Sequence, residues 1–145
     1  VELTADALER SLAGAAELIS GDLWCVFGAG GDRDPAKRSA MGAVAEAHAD
    51  RVVLTSDNPR GESAEAIMDA IAAGMGGVPE QLPDREAAIA HALTEAGSED
   101  GVVIAGKGHE TTLERAGRSI PFNDADVARR WLTSAGKALA HDDAG

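Results

Sequence analysis

Three short apolar runs constrain this chain more than any other feature. Leu23-Trp24-Cys25-Val26-Phe27, Val52-Val53-Leu54-Thr55 and Val102-Val103-Ile104-Ala105 are each followed at once by glycine or serine. Such runs are too short for helices and read as buried strands. Between them the apolar spacing changes to that of helices. Leu8, Leu12, Ala15, Ala16 and Ile19 share one helical face, Met41, Val44, Ala45 and His48 a second, and Ile67, Ala70 and Ile71 a third. A fourth helix from about Asp84 to Ala96 is expected to turn Ile89 and Leu93 inward, and a last one from near Asp124 to bury Val127, Trp131 and Ala135. Apolar strands that alternate with helices require a mostly parallel sheet with helices on both faces, an α/β, Rossmann-like fold.

The punctuation agrees. Asp34 suits an N-cap with Pro35 at the first helical position, Ser63 suits a second cap, and Gly74, Gly76 and Gly77 close that helix. A weak strand is expected near Val78 to Leu82, an edge strand at Ile120 to Phe122, and a frayed tail over His141 to Gly145. With no internal repeat or linker, residues 1–145 read as one domain with room for a core.

A net charge of −12 argues against nucleic acid and anionic membranes as partners. Within that acidic chain Arg33, Lys37, Arg38, Arg51 and Arg60 fall close together, which suits a small anionic ligand. Taken singly, Lys37, Arg38 and Arg51 read as a solvated rim. Cys25, the lone cysteine, excludes an internal disulfide and, inside an apolar run, reads as a buried inert thiol. Neither a signal peptide nor an apolar stretch of spanning length is present, so a cytoplasmic setting is expected.

Ligands of such folds gather beyond the carboxyl ends of the strands, where three loops stand out. Gly28-Ala29-Gly30-Gly31-Asp32-Arg33-Asp34 looks like a dinucleotide fingerprint, but Arg33 occupies the third glycine position and no acidic residue closes the second strand. Its backbone N–H groups at a helix start could still receive an anion beside Arg33; a tight glycine turn with a surface arginine fits equally. In Thr55-Ser56-Asp57-Asn58-Pro59-Arg60, Pro59 keeps Asn58 out of helical conformation, and acid, amide and arginine stand side by side. That set suits an amino-acid zwitterion, with Arg60 able to grip a carboxylate by two parallel bonds. An Asx-turn leading into a helix accounts for it as well.

Gly106-Lys107-Gly108-His109-Glu110-Thr111 contains Gly-Lys without the order of a P-loop. Glu110 could hold an ammonium group, and no metal-ligand spacing surrounds His109. Together the three loops suit something small that carries both charges. No nucleophile with a partner base is evident, so the chain reads as a binder and not as a complete catalyst.

These stretches, with Lys37-Arg38, Met41-Gly42, Ala49-Asp50 and Phe122-Asn123-Asp124, resemble in order and spacing the C-terminal domain of the Mur ligases, in particular the UDP-N-acetylmuramoyl-tripeptide synthetases. The similarity runs over nearly the whole chain. It implies an ATP-dependent ligase that adds meso-diaminopimelate to UDP-MurNAc-L-Ala-D-Glu, the amine attacking an acyl phosphate. It also implies roles: Arg33 and Arg60 on the distal carboxylate, Asp57 and Asn58 shaping the pocket, Gly106 through its carbonyl and Glu110 on the distal ammonium. ATP and Mg would be held by a central domain, with none bound by this chain, and N-terminal and central domains would be its partners. The segment that opens this domain in the family is reduced here to Thr4 and Asp6-Ala7-Leu8, with Leu3 where the family has histidine. Two alternatives stand beside the ligase reading: a free-standing, catalytically incomplete binding module for diaminopimelate or muropeptides containing it, and a structural remnant within a larger enzyme.

Overall fold

A computed structural model describes residues 3–29, 35–56, 63–107, 110–115 and 117–121. In chain order these form α1 (Ala5–Ala16), β1 (Leu23–Phe27), α2 (Pro35–His48), β2 (Arg51–Leu54), α3 (Ala64–Ala72), β3 (Glu80–Gln81), α4 (Arg85–Glu95), β4 (Gly101–Lys107), β5 (Glu110–Arg115) and β6 (Arg118–Pro121). The strands make one sheet in the order β3-β2-β1-β4-β5-β6. β1 pairs in parallel with β2 and with β4, and β2 with β3; β5 and β6 add on as antiparallel strands. The α/β class expected from the alternation is the observed one: a mixed, mostly parallel sheet covered by helices on both faces.

The alternation of side chains along β1 builds two cores, because successive residues of a strand point to opposite faces. Leu23, Cys25 and Phe27 pack with Leu8 and Leu12 of α1, Met41 and Ala45 of α2, and Ile67 and Ile71 of α3. Trp24 and Val26 face the other way and meet Ala88 and Ala92 of α4, along with Val53, Val102 and Ile104. On the first face α2 and α3 come so close that a Cβ on Gly42 would stand 2.1 Å from the Ile71 carbonyl oxygen. Three helix starts are fixed by side-chain caps that accept from the third residue on: Thr4 from Ala7 N, Ser63 from Ala66 N and Asp84 from Ala87 N. Thr4, a survivor of the reduced opening segment, thus has a structural task of its own.

Several expectations need correction. Residues 110–115 form β5, a full strand that the reading of a loop at Gly106 to Thr111 missed. Leu93 is 45% exposed, because α4 buries the narrow small-residue stripe Ala88 and Ala92, with Ile89 half-buried beside it. His48 is turned out, 3.7 Å from Glu9, and Ala16, the last residue of α1, is exposed. The weak strand shrinks to Glu80–Gln81 and leaves Val78 99% exposed. Arg38, expected on a solvated rim, is only 3% exposed. Lys37 is exposed as expected, and Arg51 lies over the Trp24 ring at 4.5 Å with Glu80 at 3.6 Å. The edge strand near Ile120 is β6. The cap at Asp34, the helix from Asp124 and the tail lie outside the described residues. Among the described residues no helix is long and apolar enough to cross a membrane.

Candidate functional site

β1, β2 and β4 run in the same direction, so their carboxyl ends meet at one edge of the sheet. The chain moves from β1 outward to β2 and β3, then returns to β4 on the other side of β1. The reversal falls between the carboxyl ends of β1 and β4, where open α/β sheets form a ligand crevice. Gly28 and Ala29 leave β1 on one side of it, and Ala105 and Gly106 end β4 on the other.

The bases of the first two loops are knit together. Phe27 O accepts from Thr55 N at 3.0 Å. A Cβ on Gly28 would lie 2.3 Å from the Thr55 carbonyl oxygen, so this close approach requires glycine. Thr55 is buried, and it donates through Oγ1 to Pro83 O at 3.3 Å. Ser56 donates to the same carbonyl through its N at 3.3 Å and its Oγ at 2.6 Å. The loop that carries Asp57 to Arg60 therefore departs from a fixed base that touches both the first loop and the start of α4.

The third loop is mostly strand. β4 and β5 pair as far as Lys107 opposite Glu110, with a register shift between Ile104 and Lys107 that puts one extra residue on β4. Gly106 is thus a strand-end residue and Glu110 opens β5 directly across from Lys107. Arg85, the first residue of α4, donates from Nη2 to the Ala105 carbonyl at 3.4 Å. Sequence reasoning did not single out Arg85 or Pro83, although an Asp-Arg pair at a helix start beyond a strand was visible as a signal.

Of the six expected binding residues, the structure brings Gly106 and Glu110 together at this edge. Arg33, Asp57, Asn58 and Arg60 lie outside the described residues, as does His109. Cys25 is fully buried in the sheet, and burial pushes its thiol pKa well above the ordinary range, so it is an inert core residue. Among the described residues, no group of three or more His, Cys, Asp or Glu side chains is placed to hold a metal ion.

Residues 4–108 match the family described as Mur ligase, glutamate ligase domain. The chain belongs to the Mur ligase family. It corresponds to the C-terminal domain of that family, and its match begins at Thr4, the α1 cap. The UDP-N-acetylmuramoyl-L-alanyl-D-glutamate--2,6-diaminopimelate ligase of Ralstonia nicotianae is 51% identical to this Mur ligase domain over 138 residues, which are 92% of the chain and 27% of the relative. The ligase of the same name from Chromobacterium violaceum is 52% identical over 137 residues, 92% of the chain and 28% of the relative. A solved structure of a ligase so named superposes with a TM-score of 0.68 at 40% identity, covering 92% of the chain and 28% of its own. The chain therefore spans little more than a quarter of the length of the relatives it matches.

Proposed function

We propose that this Mur ligase domain, taken as the whole of residues 1–145, selects meso-diaminopimelate for an ATP-dependent ligase that joins it to UDP-MurNAc-L-Ala-D-Glu. The observation that carries the proposal is the gathering of three loop bases along the carboxyl edge of the sheet, two of them flanking the reversal point between β1 and β4. The names and identities of the relatives support the substrate class. In this reading Arg33 and Arg60 take the distal carboxylate, Asp57 and Asn58 shape the pocket, and the Gly106 carbonyl with Glu110 holds the distal ammonium. Lysine offers no distal carboxylate. Bound in this pocket it would leave two arginines without their anion, and leaving buried charged donors unmatched is the strongest route to discrimination.

The domain's contribution to the reaction is to bind and orient the amine that attacks. Holding a reactant in attack geometry is itself a large catalytic term. ATP and Mg, which activate the acceptor carboxylate, would be bound by another domain of the ligase, and the UDP-linked acceptor by the remaining domains. The use of ATP and a UDP-linked precursor fits a cytoplasmic setting.

Arg60→Ala in the ligase that carries this domain tests the reading. Loss of a charge-assisted, two-pronged contact should weaken diaminopimelate binding by roughly 2–5 kcal/mol, with lysine affinity little changed. Diaminopimelate binding and addition equal to the parent enzyme would overturn it.

A further inference from the structure

Resting on that reading of the pocket, we propose that Arg85 is a positioning residue: its guanidinium fixes the bulged end of β4 and so sets where Gly106 and Glu110 stand. Three observations meet here. The first is the interruption of the sheet. β1 pairs with β4 only as far as Ile104, and on the β5 side the regular register breaks between Ile104 and Lys107. Ala105 and Gly106 thus sit where pairing to β1 has ended and the β5 register is interrupted before it resumes at Lys107, in a bulge, a device that commonly re-aims strand residues beside active sites.

The second is the carbonyl of Ala105, a residue that is fully buried. A buried carbonyl demands a donor, and the Arg85 Nη2 supplies one at 3.4 Å. The third is the anchoring of Arg85 itself. It opens α4 directly after Asp84, which caps that helix, and after Pro83, whose carbonyl takes both Ser56 donors and the Thr55 hydroxyl. One three-residue segment, Pro83 to Arg85, therefore braces two walls of the crevice: the residues that lead into Asp57 and the residue that leads into Gly106. Removing Arg85 leaves the Ala105 carbonyl without this donor, and the bulge relaxes with Gly106 and Glu110 on it.

The test uses the full-length ligase that carries this domain, with Arg85→Met, which keeps much of the packing, Arg85→Ala, and Arg85→Lys, which keeps a donor. A misplacement of about 1 Å can cost up to about a hundredfold, and a partial one in a binding wall about tenfold. Arg85→Met should therefore raise KM for diaminopimelate about tenfold while KM for ATP and for the UDP-linked acceptor stays within about twofold, and Arg85→Lys should recover most of the loss. A merely structural arginine would lower the active fraction or the melting temperature without this selective change in KM. Hydrogen exchange supplies a measurement independent of turnover: Arg85→Met should speed exchange over residues 105–110 and leave β1 protected. Equal rises in all three KM values, or an unchanged diaminopimelate KM with unchanged exchange, overturns the proposal. Arg60→Ala run in parallel separates the two ideas. A loss with Arg60→Ala and none with Arg85→Met overturns only the bracing role; no loss with either overturns the pocket reading too.

Discussion

The two edges of this sheet use polar groups in opposite ways. At the amino edge, where β1, β2 and β4 begin, carboxylates are consumed in closing the fold. Asp50 accepts from Leu23 N at 2.8 Å, and Asp100 accepts from Asp22 N at 2.8 Å and Gly97 N at 2.7 Å. Glu46 takes the N–H groups of both Gly76 and Gly77 at 2.7 Å, pinning the turn that leads to β3. At the carboxyl edge the Pro83 to Arg85 segment is a comparable lock, made of a backbone carbonyl and an arginine in place of carboxylates. The contrast separates two tasks that net charge conflates. Part of the acidic excess is there to satisfy backbone amides, as Glu46, Asp50 and Asp100 do.

If the contrast is right, substitutions at the carboxyl edge should change amino-acid affinity and those at the amino edge should change stability. Arg60→Ala carries the largest expected effect and should leave the melting temperature almost unmoved. Next is Gly28→Ala. A Cβ 2.3 Å from the Thr55 carbonyl oxygen forces the first two loop bases apart. Overpacking of this kind costs about 1–3 kcal/mol, read as a shift of the urea midpoint, and it should weaken diaminopimelate binding as well. A Gly28→Ala protein with parental stability and affinity would show that these bases are not coupled. Asp84→Ala comes third: losing the α4 cap should cost about 1 kcal/mol of stability. Calorimetric melting of the variant checks it, with Ser63→Ala at the α3 cap expected to cost a similar amount.

The elements that sequence made legible were those whose pattern is local. The middles of β1, β2 and β4 are apolar runs, and the cap at Ser63 needs only a few neighbouring residues to be recognised. β5 was not legible. Glu110-Thr111-Thr112-Leu113-Glu114-Arg115 has a single aliphatic residue, and it becomes a strand because Leu113 pairs across to Val103 and Thr112 to Ile104. That partnership is set by tertiary structure and overrides local preference. The burial of Arg38 is equally invisible, since a helix face is read from its apolar residues and an arginine among them looks like solvent. In the site, the loops were found because their residues are chemically unusual. The Pro83 to Arg85 brace was overlooked because its working groups are a backbone carbonyl and a side chain that serves another strand's backbone.

The acid limb of stability probes the amino edge directly. Backbone N–H donors from Gly76 and Gly77 hold the Glu46 carboxyl below its ordinary range, and those of Gly97 and Asp22 do the same for Asp100. A carboxyl whose folded pKa lies below its unfolded value of about 4 contributes stability above that pH and loses it as pH falls through the folded value. Stability should therefore decline on acidification below about pH 4. Glu46→Gln with Asp100→Asn should flatten that limb, as measured by urea unfolding at a series of pH values. A limb of unchanged slope would remove the two carboxylates from this role.

The smallest expected effect concerns Leu93, and it tests why α4 sits as it does. Ala88 and Ala92 are four residues apart, so they form one stripe, and their small side chains let the helix approach Trp24, Val26, Val102 and Ile104 closely. Leu93 follows Ala92 by one residue, about 100° further round the helix, which carries it out of that seam to 45% exposure. An apolar residue that leaves so much of itself in water contributes little, and Leu93→Gln should change stability by no more than about 0.5 kcal/mol. Ala92→Leu, one position away, should instead overpack the seam and cost about 1–3 kcal/mol. If the two substitutions proved equal in chemical unfolding, α4 would be held by its general apolarity and not by the close stripe. The position of Arg85 at its first turn would then lose the rigid support on which the brace between β2 and β4 depends.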